Sequence, residues 1–356
     1  MKLNRLTNWI LAAALLIGLP GCAPSEKPTQ SVAEPSSSSS SVQEPDLPEQ
    51  ALPLTLPFYP DYSMHPALAE NRANLALAPL IYEGLFSLDD TFSATPVLCQ
   101  TYTVSEDGLT WVFTLRAGVT FSDGTPLTGA LAAQALNTAL FDAASRYAGR
   151  ISGLQSISGD DTTVTITLTT PNSALPTLLD IPLTLDNAKY PLGTGPYVLT
   201  NSTSQFSLTP HTSWWKGVPL PFQSIQLFSI QQADDLIAAF DSGDITLLDA
   251  DLTGTNTLGY SGSYEVWDYN TTDLIYLGFN TVKGYCKDPL VRQALSRGID
   301  RESIATIPYA RHAVATSLPF HPDSPLHNQM LADQGSYAPE ALVEFLADNP
   351  PPSQPL

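Results

Sequence analysis

Alternating apolar and polar residues predict several strands in the first half of the chain. Residues 101–105 and 109–116 flank Asp107-Gly108, which is a strong signal for a two-residue hairpin turn. Along the second of these strands, the residues that alternate onto one face are Trp111, Phe113 and Leu115. Residues 162–169 have the same period of two, which predicts a further half-buried strand with Val164, Ile166 and Leu168 on its inner face.

Helix-capping residues predict three helices among these strands. Thr128 can cap a helix that runs to about Phe141. Asp288 is a good N-cap, and the proline that follows it suits the first helical position. Residues 231–242 have a helical pattern that ends before Gly243. Because strands and helices are intermixed along the chain, the sequence predicts an α/β fold with mixed sheets.

The start of the chain has the pattern of an export signal. Residues 1–7 carry two basic residues and no acidic one, and residues 10–19 form an apolar run that is shorter than the ~20 residues needed to span a bilayer. The small residue before Cys22 resembles the cleavage site of a bacterial lipoprotein. We therefore expect residues 1–21 to be a lipoprotein signal peptide and Cys22 to be lipidated. The alternative is an ordinary signal peptide with an incidental cysteine.

The next segment, residues 22–51, has the composition of a tether. It contains six consecutive serines and several prolines, and it has almost no apolar residues. Such a stretch cannot bury enough apolar surface to offset the entropy of ordering, so we expect it to be disordered. A lipid anchor followed by a tether predicts a protein that works just outside a membrane, on its extracytoplasmic face.

Charge and cysteine content exclude several classes of protein. The chain has 15 basic and 35 acidic residues and a net charge of −20, which argues against nucleic acid as a partner and against docking on an anionic membrane through a basic face. Three cysteines are too few for a disulfide-rich scaffold or a Cys-only zinc site. Cys99 and Cys286 could pair or could be two unpaired, buried thiols, and we assign no disulfide.

Motifs that carry catalytic or metal chemistry are not found in the sequence. The segment 249–254 opens like a calcium loop, but Tyr260 stands where the loop needs a bidentate glutamate. The five histidines show no ligand spacing, and we expect His321 and His327 to be exposed in a proline-containing loop. We therefore predict no enzymatic activity, no cofactor and no metal site.

Several long segments, in order, resemble the extracellular solute-binding proteins of peptide and nickel ABC importers, known as family 5. The resemblance covers about residues 52–346 and is most specific in the block that contains two predicted turns, Asp107-Gly108 and Asp123-Gly124. The segments that carry it are 78–86 (APLIYEGLF), 104–128 (VSEDGLTWVFTLRAGVTFSDGTPLT), 193–197 (GTGPY), 242–245 (SGDI), 276–280 (YLGFN) and 288–304 (DPLVRQALSRGIDRESI).

The resemblance implies a two-lobed, periplasmic-binding-protein-like α/β fold that closes over its ligand by hinge motion. It implies a substrate-binding lipoprotein that captures a peptide-like or other small solute and delivers it to the permease subunits of an ABC transporter. A non-transport surface sensor, or a degenerate scaffold of the same fold, is the alternative function.

The resemblance also implies a division into lobes. We expect residues 52–272 to form the first lobe and residues 273–356 to form part of the second. Relatives continue well beyond the position that corresponds to Leu356, so the second lobe is expected to be incomplete in this chain.

Candidate ligand contacts follow from the same resemblance. Asp61, Tyr62 and Ser63 follow the first strand, where relatives contact their ligands; His65 stands where relatives commonly have an aspartate before proline. Tyr147 falls near another position of the cleft. Thr272 and Asp273 lie at the crossover into the second lobe.

Overall fold

The computed structural model describes residues 53–203, 205–250, 260, 263–271 and 273–351. The predicted signal peptide, the predicted lipidation site Cys22, the predicted tether and Thr272 lie outside the described residues, as does most of the calcium-like loop. None of the helices that the structure describes combines the length and the apolar character needed to cross a membrane.

Strands and helices are intermixed over residues 53–241, and the described elements after residue 229 are all helical. The strands are β1 (Thr55–Phe58), β2 (Phe86–Leu88), β3 (Ala94–Pro96), β4 (Cys99–Val104), β5 (Thr110–Leu115), β6 (Leu154–Gly159), β7 (Thr163–Leu168), β8 (Tyr197–Ser202), β9 (Gln205–Pro210) and β10 (Ile225–Ser229). The helices are α1 (Arg72–Ala76), α2 (Ala78–Ile81), α3 (Gly129–Phe141), α4 (Ala233–Asp241), α5 (Pro289–Arg297), α6 (Arg301–Thr306), α7 (Gln329–Gln334) and α8 (Pro339–Asp348).

The strands form two four-stranded sheets and one short pair. In the first sheet the order is β1-β10-β9-β8, and β1 runs parallel to β10 while the other neighbours are antiparallel. The second sheet is antiparallel, in the order β4-β5-β7-β6, and β2 pairs with β3. The prediction of an α/β fold with mixed sheets is confirmed.

The second sheet and α3 enclose the largest apolar cluster. The inner faces of β5 and β7 are buried at the alternate positions that the sequence pattern predicts. Helix α3 begins as predicted, since the Thr128 hydroxyl accepts a hydrogen bond from the Leu131 N–H at 3.2 Å. It lies very close to the sheet: a Cβ on Gly129 would stand 1.9 Å from the Thr163 carbonyl oxygen, so only glycine fits there.

Strands β4 and β5 form the predicted hairpin, but the prediction of a two-residue turn between them is wrong. Ser105 and Thr110 close a longer loop through a 2.9 Å backbone hydrogen bond, and within the turn only Gly108 has a positive φ, of 70°. The Asp107 carboxylate accepts hydrogen bonds from the Ser105 hydroxyl and the Leu109 N–H, which stabilises this wider turn.

The C-terminal part of the described chain is helical and more exposed. The Asp288 cap of α5 is confirmed, because its carboxylate accepts from the Leu290 N–H at 2.8 Å. His321 and His327 are half-buried, so the prediction that they are exposed is wrong. Cys99 and Cys286 are free thiols; Cys99 is buried, whereas Cys286 is only half-buried. Burial raises the pKa of the Cys99 thiol to about 11.

Candidate functional site

The first candidate segment, residues 59–63, begins where β1 ends. Because β1 and β10 are parallel, their carboxyl ends meet at one edge of the sheet, at Phe58 and Ser229. In open sheets, ligands are commonly bound in crevices outside the carboxyl ends of parallel strands. We refer to residues 59–63 as the first loop.

A buried asparagine holds the first loop from below. Asn74 is fully buried in α1; its side-chain Nδ2 donates to the carbonyl oxygens of Tyr59 at 3.0 Å and Ser63 at 3.3 Å. Its Oδ1 accepts from the Tyr59 N–H at 2.9 Å. The same side chain therefore satisfies backbone donors and acceptors that would otherwise be buried without partners, and it fixes the shape of the loop.

The segment 189–191 holds the first loop from the side. The carbonyl oxygen of Lys189 accepts from the Met64 N–H at 2.8 Å and from the Ser63 hydroxyl at 3.1 Å. The Tyr190 hydroxyl donates to the carbonyl oxygen of Pro60. Contacts on two sides leave the loop with little conformational freedom before any ligand arrives.

His65 continues the first loop and is buried. Its Nδ1 accepts from the Ala67 N–H at 3.2 Å, and its Nε2 lies 3.4 Å from the hydroxyl of Thr184. Burial lowers the pKa of the His65 imidazole below its ordinary value, because a charged ring would lose its hydration there.

A second loop, residues 142–147, is joined to the backbone just after the first loop, at Ala67. The Arg146 N–H donates to the carbonyl oxygen of Ala67 at 3.0 Å. Tyr147 follows directly and is half-buried against the main apolar cluster. The guanidinium of Arg150 lies 5.4 Å from the centroid of its ring and forms a 2.6 Å ion pair with Asp180. Burial raises the pKa of the Tyr147 hydroxyl and of the Asp180 carboxyl.

The structure thus brings four of the six predicted contact residues onto two adjoining loops. Asp61 and Tyr62 are exposed, and the Tyr62 ring stands edge-on to Tyr59 with centroids 6.0 Å apart. The hydroxyl of Ser63 is engaged internally, since it donates to Lys189 and accepts from the His65 N–H at 2.9 Å. Asp273 is exposed on a separate stretch, where its N–H donates to the Thr271 hydroxyl.

The residues that shape these loops were not identified from the sequence. Asn74 interrupts the apolar run of residues 73–81, and a polar residue in such a run is a local signal of a buried side chain that bonds to backbone elsewhere. Lys189 and Tyr190 act through long-range contacts, and neither gives a local signal.

Two of the sequence segments that carry the resemblance, 78–86 and 193–197, meet next to segment 189–191. The buried carboxylate of Glu83 accepts hydrogen bonds from the indole N–H of Trp215 at 2.8 Å, that of Trp214 at 3.3 Å and the hydroxyl of Thr194 at 3.1 Å. Tyr82, beside it, donates its hydroxyl to the carbonyl oxygen of Pro191 at 3.1 Å. Among the described residues no group of three or more His, Cys, Asp or Glu side chains could hold a metal ion.

Residues 93–350 match the model of the bacterial extracellular solute-binding proteins, family 5 Middle. The chain is 28% identical over 269 residues to the glutathione-binding protein GsiB of Escherichia coli (strain K12), which covers 70% of this chain and 52% of GsiB. The chain therefore spans about half the length of the curated relatives it matches.

Solved structures share the fold. NikZ from Campylobacter jejuni, in complex with Ni(L-His), matches with a TM-score of 0.55 and 21% identity, over 85% of this chain and 64% of NikZ. DppA from Helicobacter pylori, in complex with the peptide STSA, matches with a TM-score of 0.54 and 22% identity, over 83% of this chain and 66% of DppA.

Proposed function

Because the chain belongs to the bacterial extracellular solute-binding proteins of family 5, which are two-lobed transport binding proteins and not enzymes, we propose that it captures a peptide-like solute outside the membrane and delivers it to an ABC permease. The match of the family model to residues 93–350 is the observation that carries this proposal. Capture would proceed by closure of the lobes over the solute, since a ligand that contacts both lobes favours the closed state.

Two observations favour peptides over nickel chelates. The curated relative that matches at 28% identity is a glutathione-binding protein, whereas NikZ, with its Ni(L-His) ligand, matches at 21% identity and supports the fold alone. The first loop presents an exposed carboxylate on Asp61 and a half-exposed tyrosine ring on Tyr62, which suit an amino terminus and an apolar side chain of a peptide. We propose that Asp61, Tyr62, Ser63 and Tyr147 contact the ligand from the first lobe, and Thr272 and Asp273 from the crossover.

The proposal is tested by titrating the purified protein with glutathione, with the tetrapeptide Ser-Thr-Ser-Ala and with a nickel–histidine complex. A bound peptide at about one hundred times its Kd should stabilise the folded state by about 2.7 kcal/mol, which is measured as a rise in Tm. Tyr62→Ala should weaken peptide binding by about tenfold, because an aromatic contact of this kind is worth ~0.5–1.5 kcal/mol beyond its buried area.

Tyr337→Ala is the matched control, since Tyr337 is 51% exposed and Tyr62 is 49% exposed. It should leave peptide binding unchanged. Stabilisation by the nickel–histidine complex and not by either peptide, or an equal effect of the two tyrosine substitutions, would contradict the peptide proposal.

We further propose that the protein is a lipoprotein attached to the cell membrane through Cys22. Two acyl chains on one residue hold a protein at a membrane, whereas a single chain binds only marginally. Cys22→Ser should move the protein from the membrane fraction to the medium or the soluble extracytoplasmic fraction, as measured by fractionation and immunoblotting. Retention of Cys22→Ser in membranes after a high-salt wash would contradict lipidation.

A further inference from the structure

A chain of hydrogen bonds connects the two loops of the candidate site through one histidine. The Ser63 hydroxyl accepts from the His65 N–H at 2.9 Å, and the His65 ring accepts from the Ala67 N–H at 3.2 Å. The carbonyl oxygen of Ala67 then accepts from the Arg146 N–H at 3.0 Å, one residue before Tyr147. The side chain of His65 is thus placed between the segment that presents Asp61 to Ser63 and the segment that presents Tyr147.

The geometry fixes the tautomer of this ring. Nδ1 faces a backbone N–H, so Nδ1 is the acceptor and carries no proton. The proton of the neutral ring is then on Nε2, which faces the Thr184 hydroxyl. A protonated ring would direct a second N–H from Nδ1 at the Ala67 N–H. Two donors would then oppose each other, and the hydrogen bond would be lost.

The other buried histidine near this part of the first sheet has the opposite geometry. The Nδ1 of His211 lies 3.1 Å from the carbonyl oxygen of Gly195, to which it donates. Protonation of His211 would preserve that bond. The two buried histidines therefore differ in whether a proton breaks the contact that Nδ1 makes.

We infer that His65 is a positioning residue of the ligand site: its neutral ring holds the first and second loops together, and its protonation loosens both. The inference rests on the proposed function, since it concerns the same two loops.

The charged groups on the loops packed against His65 do not cancel the effect of burial on its pKa. Asp186 and Asp142 both favour the charged ring, but burial outweighs them and lowers its pKa. The basic side chains on these loops are directed to tyrosine rings: Arg146 lies 6.0 Å from the centroid of Tyr147, and Lys189 lies 5.3 Å from that of Tyr190.

The direction of the pH effect follows from the lowered pKa. A histidine in the opened loop titrates near its usual pKa of about 6.5, whereas the buried ring takes up a proton only at a lower pH. Between these two values the opened form binds more protons, so the equilibrium constant for opening rises as the pH falls, by at most about tenfold per pH unit. Above about pH 6.5 the constant is independent of His65.

The test measures amide hydrogen exchange of Ala67 and Arg146 without any ligand, from about pH 7.5 to about pH 5. In the wild type, the protection of both amides, corrected for the intrinsic exchange rate, should fall together below about pH 6.5. The amides of Val164 and Ile166 in the second sheet serve as internal references, and their protection should stay constant. His65→Asn keeps a side-chain acceptor for the N–H two residues later, so Ala67 should stay protected at all these pH values. His211→Asn, the matched control, should retain the acid response of the wild type.

Ligand binding gives a second readout, with glutathione and the tetrapeptide Ser-Thr-Ser-Ala as probes at neutral pH. His65→Leu removes the acceptor and should weaken binding by about tenfold, the loss expected for one hydrogen bond that leaves a buried donor unpaired. His65→Asn should restore binding to within about threefold of the wild type.

The role of His65 and the proposed peptide ligand are contradicted by different outcomes. Constant protection of Ala67 in the wild type, or an unchanged acid response in His65→Asn, would overturn the role of His65. Failure of both probes to bind the wild type at any pH would contradict the proposed peptide ligand, while the exchange experiment would still decide whether His65 holds the loops.

Discussion

Glu83 makes a sharp test of how the site is supported, because one buried carboxylate binds three donors from two distant segments. Its two oxygens accept from Trp214, Trp215 and Thr194, which lie 111 to 132 residues further along the chain. A glutamine at position 83 has the same shape but only one acceptor oxygen. If this oxygen takes the place of the one that binds Trp215 and Thr194, the amide NH₂ group faces the indole N–H of Trp214.

The expected loss of stability can be worked from these contacts. One hydrogen bond to a charged acceptor is removed, which costs about 1.5–3 kcal/mol, and its donor is left facing another donor. The other two bonds change from charge-assisted to neutral and lose about half of their strength. Glu83→Gln should therefore lower the free energy of unfolding by about 2–4 kcal/mol, a large part of the ~5–15 kcal/mol that a folded protein has.

Urea denaturation followed by tryptophan fluorescence measures this loss, because Trp214 and Trp215 report on their own surroundings. The midpoint should fall by on the order of 1 M urea with little change in slope. Trp215→Phe should cost more than Trp214→Phe, since its bond is shorter and its ring also lies 5.0 Å from the guanidinium of Arg116. Glu106→Gln, at an exposed glutamate in the β4–β5 turn, is the control and should change nothing measurable. A Glu83→Gln protein within about 0.5 kcal/mol of the wild type would refute the argument.

Two further predictions concern the first loop and the surface turns. Asn74→Ala removes four hydrogen-bond contacts to backbone groups and should destabilise the protein by about 2–4 kcal/mol, with faster amide exchange at Tyr59; an unchanged exchange rate would contradict its role in holding the loop. Three exposed turn carboxylates have lowered pKa values because a neighbouring residue donates hydrogen bonds to each: Ser105 to Asp107, Thr125 to Asp123 and Thr162 to Asp160. The stability that they add is present above their unfolded pKa near 3.8 and is lost as the pH falls towards the folded values. Replacing all three aspartates by asparagine should flatten the fall in Tm between about pH 5 and about pH 3, and a fall as steep as that of the wild type would exclude these turns as its source.

Local patterns predicted the elements but not the detailed turn. The period of two placed Phe113 and Ile166 in the core because side chains alternate between the faces of a strand, whatever lies beyond it. The cap of α3 by Thr128 was equally predictable, since cap and partner are three residues apart. The β4–β5 turn was not, because Asp107 accepts from Ser105 and Leu109, and this side-chain bonding outweighed the usual two-residue Asp-Gly geometry.

Only those residues of the candidate site that lie at positions implied by the family resemblance could be predicted from the sequence. Sequence resemblance selected the first loop and Tyr147, and the structure shows that Ala67 and Arg146 connect these segments. The groups that hold the first loop could not be found in the same way, because they are the side chains of Asn74 and Tyr190 and the carbonyl oxygen of Lys189, brought together by folding. Ser63 and Lys189, for example, are 126 residues apart in the sequence.

The segments that carry the family resemblance and the residues proposed to contact ligand have different physical roles, but one strip of backbone connects them. Glu83 fixes Trp214 and Trp215, while its neighbour Tyr82 donates to the carbonyl oxygen of Pro191. Two residues earlier, the carbonyl oxygen of Lys189 holds the first loop through Met64 and Ser63. Tyr82, a residue of that signature, therefore supports the first loop from behind through segment 189–191. A chain can consequently keep the signature of the family and bind a different solute, because the residues that define the scaffold are not those proposed to contact the ligand.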